Sequence, residues 1–341
     1  MENIWGIRPD NVRVSTTITK AFWAVFVAVS ILALSAGSHN APFFKAVPVK
    51  ASPTLTVIEK LDGVCYGPSR DGEDPTNGIL PSEQALQEDI RLISKLARSV
   101  RTYGTTGSLE KIPHFCQEAG LDCYPGAWIS KNREQNQKEI QSLIRLAGKG
   151  FSSIKALVVG NEVLLRQDLS EDELIAYIRK VKQETKLSVA TAELWDTWLE
   201  HPKLAQAVDL ILVHIYPYWD GIPVNSAAEY VFSRWQDVKK AFPDKKVIIG
   251  ETGWPSQGDK RGGSVPSEEN QRQFLTQFLE LNRVHNAEYF WFEVFDEKWK
   301  EKFEGSVGSH WGLYYSKGFA KPLPGELFSQ EARTGMERPG R

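Results

Sequence analysis

Two short stretches run an apolar, β-branched segment into a carboxylate, one through a Gly-Asn pair and the other through a single glycine. They are "VVGNEVLLR" at 158–166, with Glu162, and "VIIGETGWPS" at 247–256, with Glu251. A single strand-end acid can equally cap a helix or hold a loop by an ion pair. Two in the same context, at the same end of buried strands, suggest a working pair. Paired carboxyls without a metal or a nucleophilic Ser or Cys elbow can cleave a glycosidic bond. One protonates the leaving oxygen while the other attacks or stabilises the anomeric carbon.

Other chemistries lack their residues. The chain has no CxxC, no HExxH and no His cluster at metal-ligand spacing, so neither a metal nor any other cofactor is expected. Of the three cysteines, Cys116 and Cys123 are close enough in sequence to bridge, while Cys65 lies in an apolar strand and reads as a buried thiol. His214 ends an apolar run and reads as a satisfied core histidine, outside the chemistry.

The elements that would carry the two acids alternate. Candidate strands fall at 63–67, 99–104, 121–129, 154–162, 187–193, 208–219, 246–254 and 287–295. Between them, Ser82–Arg98 gathers Leu86, Ile90, Ile93 and Ala97 on one helical face, and Glu268–Val284 gathers Phe274, Phe278 and Leu281. Eight β-α units, with no Gly-rich dinucleotide fingerprint after the first strand, predict a (β/α)8 TIM barrel of class α/β over residues 59–324. Chemistry in such a barrel sits at the C-terminal strand ends, where both acids lie. The fourth and seventh strands then face each other across the mouth.

The motifs "GVCYG", "VVGNEVL", "HIYPYW", "IGETGWPSQG" and "WFEVFDEKWK…GSHWGLYY" occur in that order. In these the chain resembles glycoside hydrolase family 17, the β-1,3-glucan-active family of clan A barrels, and its last motif looks closest to fungal and bacterial members. The resemblance implies a retaining hydrolase with Glu162 as acid/base and Glu251 as nucleophile. It implies that Asn161 donates to the sugar 2-hydroxyl and that Tyr216 holds the nucleophile ionised. Tyr103, Trp254, Trp291, Glu297 and Lys300 match positions that line the glucan cleft in similar enzymes. Trp219 and Trp299 sit where a sugar ring could stack or a loop could pack. Gly308 stands where plant members commonly carry a glutamate, so that acid's role does not transfer. A glucanosyltransferase would use the same glutamates, and a carbohydrate-binding barrel without turnover would use the aromatics alone.

Composition agrees with an uncharged ligand. Lys plus Arg number 41 against 43 Asp plus Glu, with no long block of one sign, so no nucleic-acid footprint exists. Eleven Trp suit the apolar faces of sugars. A basic tail at 1–20 precedes an uncharged run, Ala21–Gly37, which predicts a hydrophobic helix serving as export signal or membrane anchor. A proline-broken tether at 38–58 would follow, with a polar tail at 325–341. The barrel is expected to be exported as a monomer, facing the periplasm or exterior if anchored and secreted if the segment is cleaved.

Overall fold

Short strands and longer helices alternate around a closed ring in the structure, a computed structural model that describes residues 60–318, 320 and 321. The tail at 1–20, the hydrophobic run at 21–37, the tether at 38–58 and the tail at 325–341 lie outside the described residues. No helix among the described residues is long and apolar enough to cross a membrane.

The strands are β1 (Leu61–Cys65), β2 (Ala97–Arg101), β3 (Asp122–Tyr124), β4 (Gly126–Ala127), β5 (Leu157–Asn161), β6 (Val189–Leu194), β7 (Leu210–His214), β8 (Lys246–Thr252) and β9 (Tyr289–Trp291). All pairings are parallel, in the order β3-β2-β1-β9-β8-β7-β6-β5-β4. Nine segments make eight barrel positions, because Pro125, which has no N–H for the ladder, splits the third strand into β3 and β4. The Cys123 N–H and C=O bond Ser153 and Lys155, and Pro125 C=O accepts from Val158, so the ring closes across the split. The architecture is the expected (β/α)8 barrel.

Helices cover the outside: α1 (Glu83–Leu96), α2 (Ile112–Ala119), α3 (Arg133–Gly148), α4 (Glu171–Glu184), α5 (Trp195–Glu200), α6 (Pro202–Ala207), α7 (Val224–Ala241), α8 (Glu268–His285) and the short α9 (Glu301–Glu304). Their starts are written in side chains. Ser82 caps α1, Ser267 caps α8, and Ser170 with Glu173 forms a reciprocal capping box on α4. Leu86, Ile90 and Ile93 of α1 are buried as expected, whereas Ala97 already belongs to β2, since the helix passes into the strand without a loop.

Side chains divide by strand alternation. Val159, Ile211, Val213, Val247 and Ile249 face the helices, while Val158, Ala190, Leu210, Leu212 and Ile248 fill the barrel. The three cysteines are free, buried thiols. At the acid-bearing strands the alternation is interrupted. The β5–β6 register shifts between Val158 and Asn161, and the β7–β8 register shifts so that His214 pairs with Glu251. The extra residue in each case is the glycine ahead of the glutamate. Gly160 takes φ 84°, and a Cβ there would meet Val163 Cγ2 at 2.7 Å. A Cβ on Gly250 would stand 2.8 Å from Leu212 Cβ and 3.2 Å from His214 Cδ2. Each glycine admits the bulge that turns the next residues toward the mouth.

Gly250→Ala therefore forces β7 and β8 apart at the bulge. Thermal denaturation is expected to show a loss of about 1–3 kcal/mol, the usual range for overpacking. Activity should fall at temperatures where the variant is still folded. A variant with unchanged melting and full activity would show that the bulge is not needed.

Candidate active site

The C-terminal ends of β2, β5, β7 and β8 meet around one buried cation. Arg101 is fully buried, and its Nη1 donates to Glu251 Oε1 at 2.7 Å and to Gly250 C=O at 2.9 Å, with His214 Nε2 3.0 Å away. Its Nη2 donates to Asn161 Oδ1, which leaves the Asn161 amide nitrogen as that side chain's donor. Glu251 also accepts from Tyr103 Oη at 2.8 Å and from Tyr216 Oη at 2.6 Å. Burial works to raise the Glu251 pKa. His214 and Arg101, with the hydroxyls of Tyr216 and Tyr103, outweigh it, so the carboxyl sits below its ordinary value.

Glu162 is half-buried at the rim. His214 Nδ1 lies 2.6 Å from its Oε1. The ring's Nε2 stands 3.0 Å from Arg101 Nη1 and 3.3 Å from Glu251 Oε1, so the imidazole bridges the two acids. Arg101 adds a permanent charge against Glu251. His214 therefore belongs to the site, contrary to its reading as a bystander. Its strand-end position was visible, but its partners come from other strands.

One oxygen each of Glu162 and Glu251 and a His214 nitrogen lie within 4.8 Å of one another. That is metal-ligand spacing. The donor set fits a metal poorly, however, because Glu251 Oε1 and His214 Nε2 are already turned to the Arg101 guanidinium and Nδ1 to Glu162. A divalent ion would have to displace a cation that the protein itself supplies.

Glu162 has φ 51°, a left-handed conformation that costs a non-glycine residue about 1–3 kcal/mol and persists only where its surroundings over-determine it. They do. Its N–H bonds Ala192 C=O at 2.8 Å and its C=O accepts from Arg166 N–H at 3.0 Å. The Arg166 side chain bonds the Asn161 and Ile129 carbonyls and Asp168, and lies over the Trp128 ring.

The remaining expected residues separate into two groups. Trp254 and Trp291 are fully buried, the former donating to Val265 C=O and both packed on Phe274. Neither presents a face to the mouth, which corrects their reading as cleft-lining residues. On β9, alternation sends Tyr289 and Trp291 outward and Phe290 inward, and Phe292 continues on the inner side against Tyr216 and Trp311. The sequence reading missed the inner face by one residue.

Glu297 and Lys300 form a buried ion cluster. Lys300 Nζ lies 2.5 Å from Glu293 Oε2 and 2.6 Å from Glu297 Oε2, over the Phe292 ring. Burial lowers the Lys300 pKa, but the two carboxylates overcome it and hold the ammonium charged. Trp219 is half-buried, packed against Tyr218 and Trp311; Trp299 is half-buried with its Nε1 on Glu297. Beside them Glu304 Oε2 accepts from Trp311 Nε1 at 3.0 Å. Burial pushes its carboxyl up to about 7, with Lys300 opposing and the charges of Glu162 and Glu251 adding to the rise. A Cβ at Gly308 would stand 2.9 Å from Glu304 Cβ, so the missing side chain at 308 makes room for this acid. Sequence reading found the gap at 308 without its occupant.

Comparison with known proteins now bears on this arrangement. The model of the BtgE/BtgC glycoside hydrolase domain matches residues 63–312. The chain belongs to that family. It is 30% identical over 274 residues to a probable glucan endo-1,3-beta-glucosidase btgC of Aspergillus fumigatus, covering 71% of this chain and 40% of the relative. A glucan endo-1,3-beta-glucosidase btgC of Emericella nidulans is 30% identical over 265 residues, 68% of this chain and 40% of the relative. The chain thus spans about 40% of these relatives' length. Among solved structures, a glycoside hydrolase family 17 beta-1,3-glucanosyltransferase from Rhizomucor miehei is 28% identical with a TM-score of 0.68, covering 77% of this chain and 96% of that one. An endo-laminarinase from Formosa Hel1_33_131 shares the fold at 23% identity and a TM-score of 0.71, with 82% and 90% covered. The family 17 motifs and the family's barrel thus coincide in this chain.

The hydrogen bonds to Glu251 give a pH prediction. Tyr216→Phe removes a donor to its ionised form, so its pKa rises and the acid limb of kcat/KM moves to higher pH. A shift of about one unit corresponds to about 1.4 kcal/mol. The measurement is a pH profile on laminari-oligosaccharides. A limb that stays in place or moves to lower pH would contradict the assigned contact.

Proposed function

We propose that this barrel cleaves β-1,3-glucosidic bonds of glucans by retaining double displacement. The carrying observation is the pair Glu162 and Glu251, with oxygens within 4.8 Å across the mouth and His214 between them. Retaining pairs stand about 5–5.5 Å apart, whereas inverting pairs need about 6.5–9.5 Å to admit a water.

In the first step Glu251, ionised by Arg101 and the two tyrosines, attacks the anomeric carbon. Glu162 gives its proton to the departing glycosidic oxygen from Oε2, the oxygen that His214 Nδ1 does not occupy. In the second step Glu162 takes a proton from the incoming water, and that oxygen displaces Glu251 from the sugar with net retention. Asn161, oriented by Arg101, supplies the amide donor for the 2-hydroxyl.

Transfer to a sugar hydroxyl in place of water is the second reading, favoured by the similarity to the Rhizomucor miehei glucanosyltransferase. Mass spectrometry of products from laminari-oligosaccharides separates the two. Products longer than the substrate mean transfer, and shorter ones alone mean hydrolysis. A protein that binds these oligosaccharides without turnover would sink the enzymatic reading.

Variants divide the roles. Glu251→Gly is expected to abolish laminarin cleavage by several orders of magnitude and to accept α-glucosyl fluoride donors in transfer. Glu162→Ala should lose about 10²–10⁴-fold on laminarin, retain glycosylation by substrates whose leaving group needs no proton, and yield a β-azide when azide is added. An α-azide would exchange the two assignments.

We also place the barrel outside the cytoplasm, tethered or exported by the uncharged run at 21–37. A chain lacking residues 1–50 should then be soluble and active, as sedimentation and a laminarin assay would show. Failure of that chain to fold would remove the tether from the proposal.

A further inference from the structure

Glu193 is a buried acid that the double-displacement steps above do not use. It lies in β6 where Val213, its neighbour in the register, faces the helices, so its carboxyl is behind the barrel wall and fully buried. Its Oε1 accepts the backbone N–H of Leu164 at 2.8 Å, and Oε2 stands 3.5 Å from the N–H of Leu165. Those two residues begin the turn that follows Glu162.

That turn is built to hold one unfavourable residue. Glu162 is left-handed, and the chain folds back at once through Arg166 N–H to Glu162 C=O, Gln167 N–H to Leu164 C=O and Asp168 N–H to Val163 C=O. Arg166 fastens the near side by its bond to Asn161 C=O. The N–H groups of Leu164 and Leu165 lie on the far side, and there the acceptor is a side chain from the adjacent strand. These two amides are part-buried, and without this partner the turn can rotate toward other acceptors and carry Glu162 with it. The charged groups facing Glu193 are Glu162 and Arg166; burial pushes its carboxyl up to about 8, with the Leu164 N–H opposing. A buried acid kept at that cost for two backbone donors points to a positional task.

We propose that Glu193 is a positioning residue, whose grip on the Leu164 and Leu165 N–H groups aims the Glu162 carboxyl at the leaving oxygen. The inference rests on the reading of Glu162 as acid/base. It separates two demands: aim matters when the leaving group must receive a proton, and matters little when it need not.

The test uses the full chain, with kcat/KM as readout because it reports the steps through formation of the glycosyl-enzyme. Two substrates are compared, laminaripentaose and a dinitrophenyl β-laminaribioside whose leaving group needs no proton. Glu193→Gln keeps a carbonyl acceptor for the 2.8 Å bond from the Leu164 N–H and gives up only the 3.5 Å approach to Leu165, so its rates on both substrates should stay within about threefold of the unaltered chain. Glu193→Asp withdraws the acceptor by one methylene while keeping the acid. It should lose about 10–100-fold on laminaripentaose and less than about threefold on the activated substrate. Equal losses on the two substrates, full activity of the aspartate variant, or a glutamine variant as impaired as aspartate would each overturn the proposal. Glu162→Ala runs beside them. If that variant hydrolyses laminaripentaose normally, the acid/base reading itself has failed, an outcome distinct from any result at 193.

Discussion

A fully buried arginine is costly unless its charge is answered, and Arg101, whose Nε–H has no partner, is answered through its two terminal nitrogens by the groups that make the site. One guanidinium nitrogen bonds Glu251, the carbonyl of Gly250 and His214, and the other bonds Asn161. These partners come from three strands, and Arg101 from a fourth. The cation therefore fixes both the electrostatics and the register of the mouth. It holds a buried carboxylate ionised and orients the amide of Asn161, and His214 sets its Nε2 against the same guanidinium nitrogen. Glu162 meets the other imidazole nitrogen, Nδ1, at the far end of that arrangement.

The two acids are unequal for the same reason. Glu251 is enclosed by donors, two of them tyrosine hydroxyls, and sits below its ordinary pKa. Glu162 stands at the rim on a left-handed residue, with a backbone pinned on several sides and a side chain that touches His214. A nucleophile benefits from a fixed, stabilised charge. An acid/base benefits from a fixed direction and a variable charge, and the strained backbone with its bracing supplies direction.

Beyond the pair, the loop after β9 carries a second ion cluster, built on Lys300, Glu293 and Glu297 and flanked by Glu304. Trp311 connects it to the site. Its indole donates to Glu304, and its ring packs edge-on against Tyr216, which bonds Glu251. Gly308 belongs to the same packing, since any side chain there would strike Glu304 and the Lys300 carbonyl. The glycine that departs from the plant pattern is thus accommodated by a different acid from the preceding short helix.

The sequence alone determined the alternation of strand and helix, the eight barrel positions, the buried faces of α1 and α8, and the two strand-end glutamates. These features are local. Periodicity, caps and Gly-Glu junctions are set by residues near one another in the chain. Tertiary structure decided what each side chain meets. His214 reads as a core histidine and Arg101 carries no signal in the sequence, because their partners lie 37–150 residues away. Trp291 matches a cleft-lining position by resemblance, although strand alternation turns it outward and Phe292 inward. The glycines at 160 and 250 stand ahead of the acids within the expected strands, but their function as bulges exists only against β6 and β7. Chemistry at a barrel mouth depends on pairing register and side-chain direction, and both are fixed only when the strands close into a ring.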